Sequence, residues 1–432
     1  MIWNQSVECM DREAMEALQL HRLQDMVDRL YYNVPFYRKK LQEVGFMPGD
    51  VRHLSDLSKL PFTTKQDLRD NYPFGLFAVP MSEVVRVHAS SGTTGKPTVV
   101  GYSRKDLDNW AEVTARCLYM ANTDRQSVVQ ISYGYGLFTG GLGLHGGAER
   151  IGASVIPMSG GNTEKQLMLM EDFGVTLIGC TPSYILHLAE AREKAGLDRA
   201  NFKLKYGVFG AEPWSERMRK EIEDQWQIKA YDIYGLSEVM GPGVANDCDA
   251  GCGLHVHEDH FYPEIINPDS GEVLAEGEKG ELVFTTFTKE AFPLLRYRTR
   301  DISALHREPC ACGRTLVRME KITGRSDDML IIRGVNVFPS QVESVLLEFG
   351  ETAPHYQLIV ERERNLDILT IEVEMAPEWF SDTITGLAGV ERKIHSRLDS
   401  VLGISAVVKL MEPGSTPRFE GKSKRVIDKR EI

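Results

Sequence analysis

The chain has 432 residues, of which 42% are hydrophobic and 26% are charged, and its formal net charge is -12. A chain of this length exceeds a single compact core, so two or more domains are expected. The acidic balance argues against a nucleic-acid partner, because proteins that bind nucleic acids present a basic surface.

Residues 1–13 carry acidic side chains and lack the apolar segment of a signal peptide. No apolar run in the sequence reaches the ~18 residues that a membrane helix needs. A soluble, cytoplasmic protein without a membrane partner is therefore expected. Apolar residues at helical spacing predict helical structure over residues 9–44. Residues 61–68 predict the end of a strand and then a helix, capped by Thr64 with Asp67 in the capping-box position.

Residues 88–98 (HASSGTTGKPT) form a loop rich in glycine and hydroxyl groups. The β-rich runs 84–89 and 99–102 predict a hairpin whose arms hold this loop at both ends. Successive backbone N–H groups in such a loop can bind phosphate oxygens, and Ser and Thr hydroxyls add donors. Only two residues separate Gly92 from Gly95, so the loop differs from the nucleotide P-loop. The same composition is also typical of a plain surface turn.

Strands and helices then alternate along the chain. Strands are predicted over residues 127–132, 153–157, 176–179, 206–210 and 229–233, and helices over residues 137–151, 163–173, 182–195 and 215–225. This alternation predicts a parallel sheet covered by helices. Ligands of such sheets bind at the carboxyl ends of the strands. Three predicted strands end in residues suited to binding, at 133–135, 210–213 and 234–235.

Residues 141–146 fit the dinucleotide-binding pattern G-x-G-x-x-G. That pattern binds a dinucleotide only directly after a strand, whereas this copy begins about ten residues beyond one. We therefore interpret these glycines as sites of close helix packing.

The pattern changes to short β-runs over residues 260–302, with a turn at 267–271. A boundary is predicted at residues 324–328. A helix over 341–348, strands over 357–360 and 366–374, a helix over 382–402 and a strand over 406–411 follow it. The fold class is thus α/β, with a large N-terminal domain of parallel α/β layers plus a β-rich subdomain (residues 1–326) and a small α+β C-terminal domain (residues 327–432). The last twenty residues are rich in lysine and arginine, which is also typical of a solvated tail.

Seven cysteines are too few for a disulfide scaffold in a chain of this length. Four of them occur as two close pairs, and two histidines follow the first pair. Structural zinc takes four Cys or His ligands. The predicted zinc ligands are Cys248, His255, Cys310 and Cys312, with Cys252 or His257 as alternatives.

Several further motifs accompany the glycine-rich loop in a fixed order, at residues 234–238 (YGLSE), 296–301 (RYRTRD), 324–328 (GRSDD) and 421–422 (GK). Together they resemble the core motifs of the adenylate-forming (ANL) superfamily. Residues 331–339 (IIRGVNVFP) and 132–138 (SYGYGLF) are similar to the phenylacetate–CoA ligase family. The resemblance covers nearly the whole chain. It implies ligation of an aryl acid, with phenylacetate as the first candidate, to coenzyme A through an acyl-adenylate, with release of AMP and pyrophosphate.

The resemblance also implies roles for the N-terminal motifs. Glu238 is the expected magnesium ligand and a catalytic residue, although an acid at a helix N-terminus is an equally simple interpretation. Asp301 is expected to bind both ribose hydroxyls, with an ion pair to a nearby arginine as the alternative. The β- and γ-phosphates of ATP are expected at Ser90, Ser91, Gly92, Thr93, Thr94, Gly95 and Lys96. Adenine and ribose are expected at Gly210, Ala211, Glu212, Asp232, Tyr234, Gly235, Asp301 and Arg325.

In the C-terminal part, Lys422 resembles the catalytic lysine that bridges the carboxylate and the α-phosphate. Asp327 matches the hinge about which the small domain of this superfamily rotates, which implies a mobile C-terminal domain. Phe419 stands where the wider family has threonine, and Lys424 and Arg425 are alternative cations close to Lys422. Residues expected along the coenzyme A channel are Gly334, Val335 and Asn336.

An aromatic cleft suits an aryl acid, and the expected acid pocket consists of Tyr133, Tyr135, Phe138 and Thr139. Ordinary core packing is the alternative for these side chains. Two other functions stay open: an adenylate-forming enzyme with a different acid or acceptor, such as AMP transfer to a cofactor or loading of a carrier protein, and a non-catalytic nucleotide-binding regulator. Retention of Lys422, Glu238 and Asp301 argues against the regulator. The resemblance also suggests a homodimer.

Overall fold

A computed structural model describes residues 1–90, 97–322, 324–325, 330–333, 335–363, 366–377, 379, 384–417 and 425–430. The α-helices are α1 (Gln5–Glu8), α2 (Arg12–Asn33), α3 (Pro35–Glu43), α4 (Lys65–Asp70), α5 (Arg104–Met120), α6 (Gly140–Ile151), α7 (Thr163–Asp172), α8 (Pro182–Lys194), α9 (Glu216–Trp226), α10 (Pro339–Leu346) and α11 (Ile384–Leu402). Short 3₁₀ turns lie at Leu54–Lys59, Met81–Glu83 and Arg199–Asn201. Among these described helices, none combines the length and apolar character that crossing a bilayer requires.

The described strands fall into three sheets and two hairpins. They are β1 (Arg86–Ala89), β2 (Val99–Tyr102), β3 (Val128–Ile131), β4 (Ser154–Ile156), β5 (Leu177–Cys180), β6 (Tyr206–Gly210), β7 (Lys229–Leu236), β8 (Gly241–Asp247), β9 (Leu254–Val256), β10 (Phe261–Ile266), β11 (Gly280–Thr286), β12 (Tyr297–Ser303), β13 (Leu305–His306), β14 (Arg318–Met319), β15 (Leu330–Ile332), β16 (Val335–Val337), β17 (Thr352–Glu363), β18 (Leu366–Met375), β19 (Val407–Met411) and β20 (Val426–Asp428).

The continuous helical segment predicted over residues 9–44 is wrong in one respect, because the chain leaves the helix at Val34. Val34 is extended, with φ -119° and ψ 103°. The ring of Pro35 disfavours helical geometry in the residue before it, and the proline then begins α3 at its first position. Two helices therefore pack at an angle where the apolar spacing alone predicted one.

The predicted hairpin around the glycine-rich loop is confirmed, since β1 and β2 pair antiparallel with Ala89 opposite Val99. The Ser90 N–H donates to the carbonyl of Thr98, which closes the described part of the loop. The Ala89 N–H donates to the carbonyl of Leu137 and ties β1 to the segment before α6. The loop is thus anchored at both ends beside the predicted acid pocket.

The predicted parallel sheet is confirmed for β4-β3-β5-β6-β7. In the described residues the same sheet continues antiparallel through β8, β9, β14 and β13, which the sequence did not predict. The chain reverses after β7 through a turn at 237–240 instead of a crossover helix. Strand β8 has the sequence GPGVAND, in which Gly, Pro, Asn and Asp are all rare in strands, and β9 is only three residues long, so neither has a clear strand pattern.

The predicted β-rich subdomain is the antiparallel sheet β10-β11-β12. Its buried Arg296 forms an ion pair with Glu264, with Nη2 2.9 Å from Oε1. The turn after β10 is closed by the Asn267 side chain, whose Oδ1 accepts the N–H groups of Asp269 and Ser270. The turn predicted at residues 267–271 is thereby confirmed.

The C-terminal unit is a sheet in the order β19-β18-β17-β20, with α10 and α11 sharing its apolar core. Strands β17 and β18 form the predicted antiparallel pair. The alternative of a solvated tail is wrong for residues 426–428. They form β20, which pairs parallel with β17 and places Val426 opposite Leu358. A run of three residues is too short to produce a strand pattern in the sequence.

The G-x-G-x-x-G segment lies inside α6, so the helix-packing interpretation is confirmed. A Cβ at Gly143 would lie 2.5 Å from the Trp110 ring, and one at Gly147 would lie 2.6 Å from the Thr114 hydroxyl. Both neighbours belong to α5. The glycines therefore let α5 and α6 approach closely, and the site elements of both helices are fixed relative to the sheet.

Candidate functional site

Tyr234, Asp301 and Arg325 meet beyond the carboxyl end of the parallel strands. The Tyr234 hydroxyl donates to Asp301 Oδ2 at 2.6 Å, and Arg325 Nη1 lies 3.5 Å from Asp301 Oδ1. Burial, followed by the charge of Asp301, raises the pKa of Tyr234 well above its usual value, so the phenol stays a donor. The ion pair that stood as the alternative for Asp301 is therefore present. It places a guanidinium beside the carboxylate that Tyr234 contacts.

Glu238 lies in the turn between β7 and β8, so the alternative of a helix N-terminal acid is wrong. Its side chain is 8% exposed, and Oε1 lies 3.7 Å from Lys65 Nζ. The adjacent Ser237 hydroxyl is 2.8 Å from the hydroxyl of Thr139. This contact joins the Glu238 turn to the predicted acid pocket.

Lys289 is a neighbour of Glu238 that the sequence did not single out. Its Nζ donates to the Glu238 carbonyl at 3.4 Å and lies 4.5 Å from the centre of the Tyr102 ring. Burial lowers the pKa of Lys289 to about 7, against the opposing charges of Asp106 and Glu238. A lysine in an irregular segment carries no periodic signal that would distinguish it from a surface lysine.

The predicted adenine turn follows β6. A Cβ at Gly210 would lie 2.2 Å from the carbonyl of Ile233. Ala211 has φ +69°, and Glu212 Oε1 accepts the Ser183 N–H at 2.8 Å at the start of α8. The turn is therefore fixed at both flanks, and Gly210 and Ala211 form its backbone edge.

Two more residues of the predicted nucleotide set lie on β7. Asp232 is buried, and its backbone N–H donates to Asp247 Oδ1 at 2.9 Å; burial raises the pKa of its own carboxyl. A Cβ at Gly235 would lie 2.0 Å from the Gly241 carbonyl, so only glycine fits there. The strand end beside the turn is therefore closely packed.

The predicted acid pocket divides into a buried and an open part. The buried Tyr133 donates to the Cys180 carbonyl at 2.6 Å, and Tyr135 Oη lies 3.2 Å from His145 Nδ1. Phe138 is 41% exposed, whereas Thr139 is buried. A Cβ at Gly140 would lie 2.7 Å from the Phe138 ring and 3.3 Å from Tyr133 Cβ, so both residues lie close against this glycine.

The predicted metal ligands come together from three separate segments. The ligand atoms of Cys248, His255, Cys310 and Cys312 all lie within 4.8 Å of one another. Cys248 and Cys310 are 3.7 Å apart at sulfur, and Cys312 Sγ is 3.5 Å from His255 Nε2. A tetrahedral zinc with Zn–S bonds of about 2.3 Å separates two sulfur ligands by about 3.8 Å. The donor set therefore fits zinc in number, type and spacing.

The two alternative zinc ligands, Cys252 and His257, differ in position relative to the cluster. The exposed Cys252 lies at the cluster, with Sγ 3.2 Å from Cys310 Sγ. His257 is buried elsewhere, with Nε2 3.3 Å from Cys117 Sγ. Burial opposes ionisation of Cys312, but hydrogen bonds to His255 and Arg314 outweigh it and lower the pKa of its thiol to about 5.

Several predicted site residues lie outside the described residues: Ser91, Gly92, Thr93, Thr94, Gly95, Lys96, Asp327, Gly334 and Lys422. Ser90 is described, and its hydroxyl is buried without a hydrogen-bond partner in the described part of the chain. Val335 and Asn336 lie in β16.

Arg425, an alternative to Lys422, is engaged inside the C-terminal unit. Its Nη1 lies 2.6 Å from Glu343 Oε1 and donates to the Tyr356 hydroxyl at 3.0 Å. Burial opposes its charge, but negative neighbours that include Glu343 and Glu212 outweigh it and raise the pKa of the guanidinium. Such a buried, paired guanidinium is poorly placed to reach a substrate.

The C-terminal unit contacts α8 and α9 of the larger unit. His355 Nε2 lies 3.1 Å from Glu190 Oε1, and Arg217 Nη2 donates to the Phe349 carbonyl at 3.1 Å. These contacts fix one orientation of the unit that is predicted to carry the catalytic lysine.

Two family models match the chain, one described as "AMP-binding enzyme" over residues 52–287 and one as "AMP-binding enzyme C-terminal domain" over residues 334–430. The phenylacetate-coenzyme A ligase of Escherichia coli (strain K12) is 54% identical over 99% of this chain and 97% of its own length. That of Thermus thermophilus is 51% identical over 100% of both chains.

Solved structures of a 2-hydroxyisobutyryl-CoA ligase are similar over the whole chain. In its postadenylation state this ligase is 29% identical, with 99% of this chain and 92% of that chain covered and a TM-score of 0.93. In its thioesterification state the TM-score is 0.74, at 30% identity and with 100% and 93% covered. The two units described here are therefore arranged as in the postadenylation state of that ligase.

Proposed function

This chain belongs to the AMP-binding enzymes and, among them, to the phenylacetate–CoA ligase family, and we propose on that premise that it ligates phenylacetate or a close aryl acid to coenzyme A. One observation carries the proposal: four phenylacetate–CoA ligases from different bacteria are 51–54% identical to this chain over 97–100% of its length. Acceptors other than coenzyme A are not favoured by this similarity.

The reaction has two steps. A carboxylate oxygen of the acid attacks the α-phosphorus of ATP, the bond to the β-phosphate oxygen breaks, and pyrophosphate leaves. The thiol sulfur of coenzyme A then attacks the acyl carbon, loses its proton, and releases AMP. Both steps depend on the alignment of bound groups, because correct placement supplies much of the rate.

Tyr234, Asp301 and the 210–212 turn support the nucleotide role that we propose for them. The Asp301 carboxylate has two oxygens, and these can accept both ribose hydroxyls. Its hydrogen bond from Tyr234 and its ion pair with Arg325 hold it in one orientation. The ring of Tyr234 and the backbone edge at Gly210 are the surfaces that we assign to adenine.

Magnesium is a proposed cofactor, and Glu238 is its proposed protein ligand. Among the described residues, no donor forms a hydrogen bond to the Glu238 carboxylate, and Lys65 lies at 3.7 Å. A buried carboxylate that accepts no hydrogen bond from the described residues suits a hard cation that is held by one carboxylate and by phosphate oxygens. When bound, magnesium supplies charge neutralisation at the phosphates.

Lys422 is the proposed catalytic lysine, residues 90–96 the proposed phosphate loop and Asp327 the proposed hinge between domains 1–326 and 327–432. The acid is assigned to the cleft around Phe138, and coenzyme A to Gly334, Val335 and Asn336. The match to the postadenylation arrangement supports a C-terminal unit placed for the first step.

The test of the function is release of AMP and pyrophosphate from ATP and magnesium, with a panel of aryl acids, with and without coenzyme A. We expect turnover that requires coenzyme A and is fastest with phenylacetate. Pyrophosphate release that coenzyme A does not affect would contradict the proposed acceptor, and the absence of release with every aryl acid would contradict the substrate class.

Lys422→Ala tests the catalytic lysine separately. Because one lost transition-state contact costs about 100-fold or more, we expect that much loss in acid-dependent ATP–pyrophosphate exchange. Thioester formation from preformed phenylacetyl-adenylate and coenzyme A should stay close to normal. The matched control is Lys429→Ala, since Lys429 lies in the same segment and pairs with Glu361 at the surface. Exchange that survives in Lys422→Ala would assign the role to another cation.

A structural zinc is proposed at Cys248, His255, Cys310 and Cys312, where it would join β8 and β9 to the loop before β14. We expect one zinc per chain by elemental analysis, lost in Cys310→Ser together with part of the thermal stability. Cys252→Ser should retain the metal, because four other ligands suffice. Equal zinc loss in both variants would contradict this ligand set.

A homodimer is proposed from the same family membership. Light scattering after gel filtration should give twice the mass of one chain. A monomer at assay concentration would contradict this proposal.

A further inference from the structure

Lys289 is an unusual lysine because its side chain is 1% exposed. It lies in the irregular segment between β11 and β12, and its ammonium sits over the rings of Tyr102 and Phe292, at 4.5 and 5.3 Å from their centres. Burial of an ammonium is costly unless its charge and its three donors are matched. A methionine or leucine would fill the same space without that cost.

In the described part of the chain, protein groups satisfy only part of the hydrogen-bonding capacity of the Lys289 amine. Its hydrogen bond runs to the Glu238 carbonyl at 3.4 Å, and no carboxylate oxygen there lies within 4.0 Å of its Nζ. Asp106, its other negative neighbour, already accepts the N–H groups of Ser103, Glu290 and Ala291. The ammonium therefore keeps donors and charge that these protein groups do not use.

His88 supplies a second unmatched polar atom beside Tyr102. It belongs to β1, directly before the glycine-rich loop, and its ring meets Tyr102 edge-on at 5.5 Å. Its Nδ1 is 3.0 Å from the Leu137 carbonyl, which only accepts, so Nδ1 carries the proton and Nε2 keeps a lone pair. His88 is 1% exposed, and Nε2 has no hydrogen-bond partner among the described residues.

We propose that Lys289 is a positioning residue for the first half-reaction, which couples the Glu238 turn to the strand that carries the phosphate loop. Its N–H group fixes the Glu238 peptide and thereby the direction of the carboxylate. His88 and Tyr102 complete the connection to β1. The inference rests on the proposed function, because it assigns the turn to magnesium and the loop to phosphate.

The main test is Lys289→Met, which keeps the length and apolar stem of the side chain but removes charge and donors. In acid-dependent ATP–pyrophosphate exchange, we expect the magnesium concentration for half-maximal rate and the KM for ATP to rise about tenfold or more. The KM for phenylacetate, and for coenzyme A in the second half-reaction, should change less than twofold. A purely structural lysine would lower stability without this selective change.

The matched control is Lys105→Met. Lys105 is an exposed lysine of the same region that pairs with Glu290, so its loss should leave all these constants close to normal. Lys289→Met with an unchanged magnesium and ATP dependence would overturn the proposal.

His88→Phe provides a second arm that keeps a ring in place and remains informative if Lys289→Met does not fold. We expect the same direction of change, and in the double variant an effect smaller than the product of the two single effects, because coupled residues are not additive. Unchanged ATP and magnesium constants in His88→Phe would contradict the coupling to β1.

Direct calorimetric titration of magnesium-ATP into wild type and Lys289→Met separates this inference from the proposed function. Weaker nucleotide binding in the variant supports the role of Lys289 even if no aryl acid is turned over. Equal binding, together with normal turnover in wild type, would overturn the inference and leave the ligase function standing.

Discussion

The hydrogen bond from Tyr234 to Asp301 makes one carboxylate suitable for a sugar. An ionised acceptor forms the stronger kind of hydrogen bond, and this one measures 2.6 Å. Without the phenol, Asp301 would be held by Arg325 alone among these partners, and its orientation toward a ribose would be less fixed. The nucleotide site thus depends on a pair of side chains that are 67 positions apart.

Tyr234→Phe tests this dependence. Loss of a hydrogen bond to a charged group costs about 1.5–3 kcal/mol, so the KM for ATP should rise about tenfold or more, while the KM for phenylacetate changes little. The measurement is ATP–pyrophosphate exchange over both substrates. Tyr206→Phe, on the neighbouring strand β6, is the control. Equal changes in both KM values would contradict a role specific to the nucleotide.

The buried His260 is expected to make the stability of the fold depend on pH. Burial lowers its pKa to about 4, although Asp259 opposes this, whereas an unfolded histidine titrates near pH 6.5. The unfolded state therefore binds more protons between these values, and stability falls as the pH drops from about 6.5 to about 4.

His260→Asn should remove part of this acid sensitivity. Its free energy of unfolding should fall less than that of wild type between pH 7 and pH 4, by an amount on the order of 3 kcal/mol for a shift of this size. Urea denaturation at several pH values measures it. His21→Asn, at an exposed histidine, should behave like wild type. Identical pH profiles for His260→Asn and wild type would show that this prediction is wrong.

Residue-scale features differed in how far the sequence predicted them. The zinc ligand set could be predicted because Cys and His are rare residues and their spacing is informative. The four predicted ligand atoms do lie together. Glu238 and Asp301 could be predicted from the resemblance of their motifs. Lys289 and His88 could not, since their significance lies in burial and in unmatched polar atoms. Those properties exist only once β1, β7 and the segment before β12 are brought together.

At the scale of elements, the packing of α5 on α6 determines the position of the acid pocket. Thr139 and Phe138 directly precede α6, and Trp110 of α5 stacks on Tyr102 at 4.9 Å. Gly143 permits this approach, because a Cβ there would lie 2.5 Å from Trp110 and 2.7 Å from Pro242. A shift of α6 would therefore displace pocket and nucleotide residues together.

Gly143→Ala should destabilise the protein by about 1–3 kcal/mol, as overpacking does. Gly146→Ala is a matched control on the same helix, because its Cβ would meet Ala111 at 3.6 Å, an ordinary contact. Alanine also favours the helix, so this control should be neutral or stabilising by about 1 kcal/mol. Chemical denaturation compares the two, and equal stabilities would contradict the close-packing role.

The parallel half of the sheet was predictable because buried β-branched runs alternate with amphipathic helices. The antiparallel half was not, because β8 is rich in residues that are rare in strands and β9 is only three residues long. The break at Val34 and the short strand β20 were missed for local reasons: a proline effect on the preceding residue, and a run of three residues.

At the scale of the whole molecule, polar contacts between described residues join the C-terminal unit to α8 and α9. His355 meets Glu190 at 3.1 Å, and Arg217 reaches the Phe349 carbonyl. Polar contacts of this kind are compatible with domain motion. The arrangement matches the postadenylation state of a related ligase more closely than its thioesterification state. Contacts that form in only one of two orientations bias the equilibrium between them.

Glu190→Gln should therefore affect the two half-reactions differently. The amide is a weaker acceptor for His355 than the carboxylate and so weakens the adenylating orientation. ATP–pyrophosphate exchange should therefore slow by a few-fold, as expected for a change of about 1 kcal/mol in one hydrogen bond. Thioester formation from preformed phenylacetyl-adenylate should be equal to wild type or faster, since the other orientation becomes more populated. Glu193→Gln, at an exposed glutamate of the same helix, should leave both rates unchanged. A parallel loss in both half-reactions would indicate general damage to α8, and a normal ratio of the two rates would remove Glu190 from the control of domain orientation.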